Sequence, residues 1–228
     1  MRPLLIIAYA QHGQRSRGDY DPGAWADIDG DGMRATWEQE ARLAAAYASL
    51  IAGMAEAQGA QGLPVDGWFV GWGDDIDPLT YDRGHAAINA RVRAWHEQNP
   101  DGVSVTLACH CNAGGGDDGL IAFDHRSGLG RGAAAVLASA WEAGLPMLDR
   151  AKRIVASPQG QPYERRLHFC LRGAYWAPRN HFGLTLEPGF LDQPQHRGLW
   201  TSRGLEAIAR STVGGLVAWA SEPAAAAA

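Results

Sequence analysis

The chain has 228 residues, and its 20 lysine and arginine residues against 25 aspartate and glutamate residues give a formal net charge of −5. Because nucleic-acid-binding surfaces are basic, this charge argues against a broad surface of that kind. With 46% hydrophobic and 20% charged residues, the composition is that of a folded chain rather than an intrinsically disordered one.

Cysteine content and the length of the apolar runs argue against two further classes of protein. Three cysteines, Cys109, Cys111 and Cys170, are too few for a disulfide framework. The longest apolar run, Leu4 to Ala10, is far shorter than the roughly 20 residues that cross a bilayer, so no membrane insertion is expected. The run is also too short for a signal peptide, and we therefore expect the protein to be cytoplasmic in the producing cell.

Strand and helix patterns alternate along the chain. An apolar strand at 3–10 precedes an Asp- and Gly-rich loop, after which Thr36 and Gln39 form a capping box that predicts a helix start. The apolar stripe of this helix consists of Leu43, Tyr47, Leu50, Ile51 and Met54. The later predicted elements are strands at 65–71, 103–109, 119–123 and 182–186 and helices at 79–97, 132–148 and 203–219.

This alternation predicts an α/β fold. We expect a three-layer sandwich in which a central, mostly parallel but mixed β-sheet is covered by helices on both faces. Residues 1–220 are expected to form a single domain, and residues 221–228 a low-complexity tail. Residues 151–179 carry no pattern that assigns them to an element.

Polar side chains follow three of the predicted strands. His12 comes after the first strand, His110 ends the third and Glu187 ends the last, while Glu38 lies in the first turn of the first helix. In α/β sheets ligands bind at the carboxyl ends of the strands, and two imidazoles with a carboxylate are the ligand set of a catalytic zinc site. The chain has eight histidines, so spacing alone leaves a metal site and ordinary structural histidines both open.

Four short motifs follow one another in an order that is typical of one family. They are His12-Gly13, Glu38 with Leu43, His110-Cys111-Asn112-Ala113, and Glu187-Pro188-Gly189-Phe190-Leu191. In this order they resemble the zinc-dependent N-acetylmuramoyl-L-alanine amidases of the Amidase_3 type, which include bacterial cell-wall amidases and phage endolysins. The chain departs from that family before His12, where Tyr9-Ala10-Gln11 replaces Asp-Pro-Gly.

The resemblance implies a function and a set of site residues. His12, Glu38 and His110 would bind one catalytic zinc ion (Zn²⁺), Glu187 would be the catalytic residue, and Asn112 would contact the substrate. The reaction would be hydrolysis of the amide bond between N-acetylmuramic acid and L-alanine in peptidoglycan, by residues 1–220 as an amidase catalytic domain. We expect a monomer, and the lack of a recognisable signal peptide favours a phage-type endolysin that acts at the bacterial cell wall after release.

Glu38 also fits a second pattern. Asp27, Asp29 and Asp31 precede it at the spacing of an EF-hand calcium loop, in which Glu38 would be the bidentate ligand. The segment lacks the expected entering helix, so zinc binding through Glu38 is preferred over calcium (Ca²⁺) binding at the aspartates. Glu40 is the alternative zinc ligand, because it lies about 200° round the helix from Glu38 and only one of the two can face the site.

Two other functions fit parts of the sequence. One is a zinc amidase or peptidase with a different substrate, since the same residues could hydrolyse another amide bond. The other is a non-catalytic, calcium-dependent wall-binding module that uses the Asp-rich loop. Because the motifs extend from residue 12 to residue 191, we expect no separate wall-binding domain within the chain.

Overall fold

A six-stranded mixed sheet forms the centre of the fold. The computed structural model describes residues 1–10, 12–14, 20–70, 83–116, 118–145, 154–159 and 180–222. The strands are β1 Leu4–Ala10, β2 Gly13–Gln14, β3 Tyr20–Asp21, β4 Val65–Phe69, β5 Val103–Cys109, β6 Gly119–Asp124, β7 Ile154–Gln159 and β8 His181–Glu187. The helices are α1 Glu40–Ala60, α2 Arg83–Gln98, α3 Gly128–Gly144 and α4 Ser202–Ser221, with 3₁₀ turns at Thr36–Glu38 and Pro194–Trp200.

The strand order in the large sheet is β4-β1-β5-β8-β6-β7, and β2 and β3 pair separately as a short antiparallel ribbon. Strands β4, β1, β5 and β8 run parallel, whereas β6 runs antiparallel to β8 and parallel to β7. The register places Ala10 beside Cys109 and Cys109 beside Leu186. The carboxyl ends of β1, β5 and β8 therefore lie side by side.

Helices cover both faces of this sheet, as a continuous apolar strand such as β1 requires. On one face, Tyr47 and Ile51 of α1 join residues of α3 and α4 in the larger apolar core. On the other face, Ile88 and Val92 of α2 pack in a smaller core with Leu5 of β1. The predicted three-layer α/β architecture with a mixed sheet is confirmed.

Two helix starts differ from the sequence prediction. Helix α1 begins at Glu40 rather than at Thr36, because residues 36–38 form a separate 3₁₀ turn. Helix α3 begins at Gly128 rather than at residue 132, because the Ser127 hydroxyl accepts a hydrogen bond from the Gly130 N–H at 2.9 Å and caps it there.

Smaller differences concern single residues and segments. Leu50, predicted to belong to the buried stripe of α1, is exposed. Strand β7 falls in the stretch that the sequence pattern did not assign, and most of that stretch, with Cys170, lies outside the described residues. None of the described helices combines the length and the apolar character needed to cross a membrane.

Candidate metal centre

Three side chains converge at the carboxyl edge of the sheet. His12 follows β1, His110 follows β5, and Glu40 is the first residue of α1. Oε1 of Glu40 lies 3.0 Å from Nδ1 of His110 and 3.6 Å from Nε2 of His12. Donor atoms of all three residues lie within 4.8 Å of one another. Two imidazoles and one carboxylate at this spacing could hold a metal ion and leave a coordination position for water or substrate.

The backbone fixes the Glu40 carboxylate in place. Oε2 accepts a hydrogen bond from the Ala24 N–H at 2.8 Å, and Oε1 accepts one from the Cys111 N–H at 3.1 Å. The Glu40 N–H in turn donates to the Ala24 carbonyl at 2.9 Å. The carboxylate is therefore oriented before any ligand binds.

The charge state of Glu40 suits a metal ligand. Burial acts to raise its pKa, but the hydrogen bond with His110, the positive charges of His12 and His110 and the Ala24 N–H outweigh burial and lower the pKa below its ordinary value. Glu40 is therefore expected to be ionised at neutral pH, as a carboxylate ligand must be.

The preference for Glu38 as the third ligand is not supported by this geometry. The Glu38 carboxylate is fully buried and accepts hydrogen bonds from the backbone N–H groups of Ile28, Asp29 and Ala35. These hydrogen bonds follow from the late start of α1, because Glu38 belongs to the 3₁₀ turn and Glu40 is the first residue of the helix. The structure groups Glu40, the alternative ligand, with His12 and His110.

The predicted calcium ligands are also arranged differently from an EF-hand. Asp27, Asp29 and Glu38 offer oxygen atoms within 4.8 Å of one another and form a second group that could hold a metal ion, whereas Asp31 is outside that group. The Asp27 carboxylate accepts from the N–H groups of Gly30 and Gly32, and no helix precedes it within residues 22–35. The hydrogen bonds are those of turn-forming aspartates, and calcium binding at this loop stays a prediction.

Glu187 lies at the same edge, at the end of β8. Its Oε2 accepts a hydrogen bond from Nδ2 of Asn112 at 2.9 Å. Burial raises the pKa of Glu187, a positive charge on His110 opposes this shift, and the negative charge of Glu40 adds to it. A carboxyl group with a raised pKa is better matched to accepting and returning a proton near neutral pH.

Asn112 was predicted to contact the substrate, and the structure shows it bonded to Glu187. Its backbone lies between the two strand ends, since its N–H donates to the Gly189 carbonyl at 2.9 Å and its carbonyl accepts from Leu191 at 2.8 Å. Asn112 therefore links the segment after β5 to the segment after β8 and orients the Glu187 carboxylate.

Tyr47 was expected only as a core residue, yet it supports the site. Its hydroxyl lies 2.8 Å from the His110 carbonyl and 3.1 Å from the Leu186 carbonyl, and can donate its proton to either. Its position in the apolar stripe of α1 was the sequence signal for this role. A tyrosine buried there needs a hydrogen-bond partner for its hydroxyl.

His181, Cys109 and Cys111 have structural surroundings. His181 bonds to the hydroxyl of Ser104 at 2.8 Å, at the opposite end of β8 from Glu187. Cys109 and Cys111 belong to the larger apolar core, as their strand positions predicted. Burial raises the pKa of the Cys111 thiol well above its ordinary value, and the negative charge of Glu40 adds to the shift. A thiolate nucleophile at Cys111 is disfavoured on this ground.

Neither a protein-family model nor a curated protein sequence matches the chain. Solved structures do, and three of them are described next. Cwp6 from Clostridium difficile has a TM-score of 0.63 and 14% identity over 95% of this chain, and the chain covers 29% of the length of Cwp6.

The catalytic domain of CwlV, an N-acetylmuramoyl-L-alanine amidase from Bacillus (Paenibacillus) polymyxa, has a TM-score of 0.52 and 17% identity, covering 96% of this chain and 98% of that one. The catalytic domain of the CD27L endolysin, which targets Clostridia difficile, has a TM-score of 0.51 and 14% identity, covering 94% and 97%. The chain shares the fold of N-acetylmuramoyl-L-alanine amidases, so the predicted resemblance is confirmed at the level of the fold.

Proposed function

We propose that the protein is a zinc-dependent hydrolase of the amide bond between N-acetylmuramic acid and L-alanine in peptidoglycan. The observation that carries the proposal is the convergence of His12, Glu40 and His110 at one sheet edge, with Glu187 at the end of the neighbouring strand. The fold that the chain shares with N-acetylmuramoyl-L-alanine amidases favours this amide bond over the amide bond of another substrate.

His12, Glu40 and His110 would hold the zinc ion through two imidazoles and one carboxylate. Zinc bound there would supply Lewis acidity, polarising the scissile carbonyl and acidifying the attacking water. Glu40 contributes a fixed negative charge, because Ala24 and Cys111 already orient its two oxygens. The protein thus holds the donor atoms of His12, Glu40 and His110 in a fixed arrangement around the metal position.

Glu187 would carry the proton between the two halves of the reaction. Its carboxylate accepts the proton of the attacking water and then returns it to the departing L-alanine amine, so that the amine leaves in neutral form. The hydrogen bond from Asn112 keeps one oxygen of Glu187 engaged and leaves the other to meet this proton.

We extend the proposal to residues 1–220 as one catalytic domain that acts as a monomer on the cell wall. Production in the cytoplasm followed by action at the wall after release stays a prediction. It is checked by locating the protein in the producing cell and by measuring its mass in solution.

Digestion of purified peptidoglycan tests the reaction. The protein is expected to release free L-alanine amino groups, and a chelator is expected to stop the release. Glu187→Gln should lower kcat by roughly 100-fold or more while the zinc content stays at that of the unmodified protein. Release of other new amino groups, without those of L-alanine, would contradict the proposed substrate.

A further inference from the structure

The loop of residues 22–39, whose first residues contact the metal centre, carries several exposed apolar side chains. Trp25 is 40% exposed, Trp37 is 44% exposed and Met33 is 68% exposed. These are three of the six large hydrophobic side chains that are exposed among the described residues. Single exposed apolar side chains are ordinary, but a local concentration of them marks an interaction surface.

This loop contacts the metal-binding residues directly. At Gly23, whose φ is +67°, an added Cβ would lie 2.6 Å from Oε2 of Glu40 and 2.9 Å from the ring of His12. Ala24 exchanges two hydrogen bonds with Glu40, one through the Glu40 carboxylate and one through its backbone. Trp25 is therefore the next residue after a backbone segment that packs on the candidate centre.

The loop is also built to hold its shape. The indole N–H of Trp25 donates to the Ala35 carbonyl at 3.0 Å, and Trp25 pairs with Gln39 in an isolated antiparallel bridge. The buried Glu38 carboxylate accepts from backbone groups on both sides of the loop, at Ile28 and Ala35. A surface that is ordered before binding loses less conformational entropy when a ligand docks on it.

The loop chemistry favours a neutral, hydroxyl-rich ligand. The indoles offer flat apolar surface, while the exposed carboxylates of Asp29 and Asp31 can only accept hydrogen bonds. A pyranose ring has an apolar C–H face and hydroxyl donors around its rim, which match both features. The same carboxylates would repel an anionic lipid surface.

We propose that Trp25 and Trp37 form a docking surface for the sugar rings of the peptidoglycan glycan strand. The inference rests on the proposed function, since the bond to be cleaved is attached to one of those sugars. The glycan strand passes beside Gly23 and Ala24, and its sugar rings stack on the two indoles. The lactyl group of N-acetylmuramic acid, with its attached peptide, then faces the metal centre. Selection of the glycan then resides in this loop, and hydrolysis resides in the sheet-edge residues.

Binding measured without turnover tests the proposal. In the Glu187→Gln background, sedimentation with insoluble peptidoglycan gives the Kd. Truncating a central aromatic anchor costs more than about 1.4 kcal/mol, so Trp25→Ala and Trp37→Ala are each expected to raise this Kd about tenfold. Leu63→Ala removes another exposed apolar side chain and should leave Kd unchanged. Leu63 precedes the amino end of β4, whereas the metal centre lies at the carboxyl ends of the strands. Equal Kd values for all three variants would overturn the docking surface.

A soluble sugar separates this inference from the proposed reaction. The β-1,4-linked tetramer of N-acetylglucosamine is expected to change the tryptophan fluorescence of the unmodified protein and to compete with peptidoglycan, and Trp37→Ala should weaken both effects. Trp37 serves as the second variant because Trp25→Ala also removes the hydrogen bond to Ala35. Tetramer binding that depends on Trp37 supports the docking surface even if no L-alanine amino groups are released. If L-alanine amino groups are released but neither tryptophan substitution changes binding, the docking surface is overturned and the proposed function stands. Binding to anionic lipid vesicles instead of the tetramer also overturns the docking surface.

Discussion

Glu38 and Glu40 are two buried carboxylates, two residues apart, that contact different groups. Glu40 faces the two imidazoles, whereas Glu38 accepts hydrogen bonds from loop backbone. The two carboxylates have different partners, because Glu38 belongs to the 3₁₀ turn and Glu40 belongs to α1.

This division predicts opposite effects of two matched substitutions. Glu40→Gln removes the negative ligand and should weaken zinc affinity by about 10-fold to 100-fold or more. Glu38→Gln should keep about one zinc per chain and instead lower the free energy of unfolding, by about 1–3 kcal/mol for a disturbed buried acceptor. Metal analysis after dialysis, together with urea unfolding of each variant, checks both. Zinc loss in Glu38→Gln with zinc retained in Glu40→Gln would reverse the assignment.

Asn112 acts through Glu187, because its amide donates to the Glu187 carboxylate. Asn112→Ala should therefore lower kcat, by about tenfold for a lost hydrogen bond to a charged group, with a small change in KM. Steady-state kinetics on soluble muropeptides measures the two constants separately. A large rise in KM with kcat unchanged would show that Asn112 contacts the substrate instead.

At the scale of elements, one face of α1 contacts the site at two points. Its first residue is Glu40, and two turns later Tyr47 reaches the carbonyls of His110 and Leu186 at the ends of β5 and β8. The Tyr47 hydroxyl thus bridges the two strand ends that deliver His110 and Glu187, which the β5–β8 pairing already places side by side.

Tyr47→Phe is expected to destabilise the protein without creating a cavity. The hydroxyl has one proton to share between two carbonyls, so its loss should lower the free energy of unfolding by about 1 kcal/mol. Zinc affinity should fall as well, because the His110 backbone loses a fixed partner. Urea unfolding and zinc titration of Tyr47→Phe, with Leu50→Ala on the exposed side of the same helix as control, check the two effects.

The positions of the strand ends could be predicted from sequence, but the start of α1 could not. Apolar runs that end in His110 and Glu187 identify strands and the polar residues after them, and parallel strands bring such residues to one edge. The conformation of residues 36–39 depends instead on Glu38 meeting Ile28 and Asp29, about ten positions earlier in the chain. Capping patterns report only neighbours along the chain, so they placed the helix start too early and left the choice between Glu38 and Glu40 open.

At the scale of the whole molecule, the formal charge of −5 gives no general attraction to an anionic wall. The proposed docking surface likewise relies on stacking and hydrogen bonding with neutral sugars. Binding to peptidoglycan should consequently change by less than about threefold between about 50 and about 200 mM salt. Sedimentation binding at several salt concentrations measures this, and a steep fall in affinity would indicate a cationic contact instead.

The reversed direction of β6 has a further consequence for how this architecture can diversify. Because β6 is antiparallel to β8, Leu120 pairs with Glu187, and the chain moves from β5 to β6 without leaving the site edge. Residues 113–116 in this short connection are anchored where the Gly114 N–H donates to Asp192 at 3.0 Å. Insertions here would enlarge the wall of the site while leaving every helix crossover intact. Grafting longer segments at this point would therefore change the wall of the site, and with it the preferred peptidoglycan, while the sheet and its helices stay as they are.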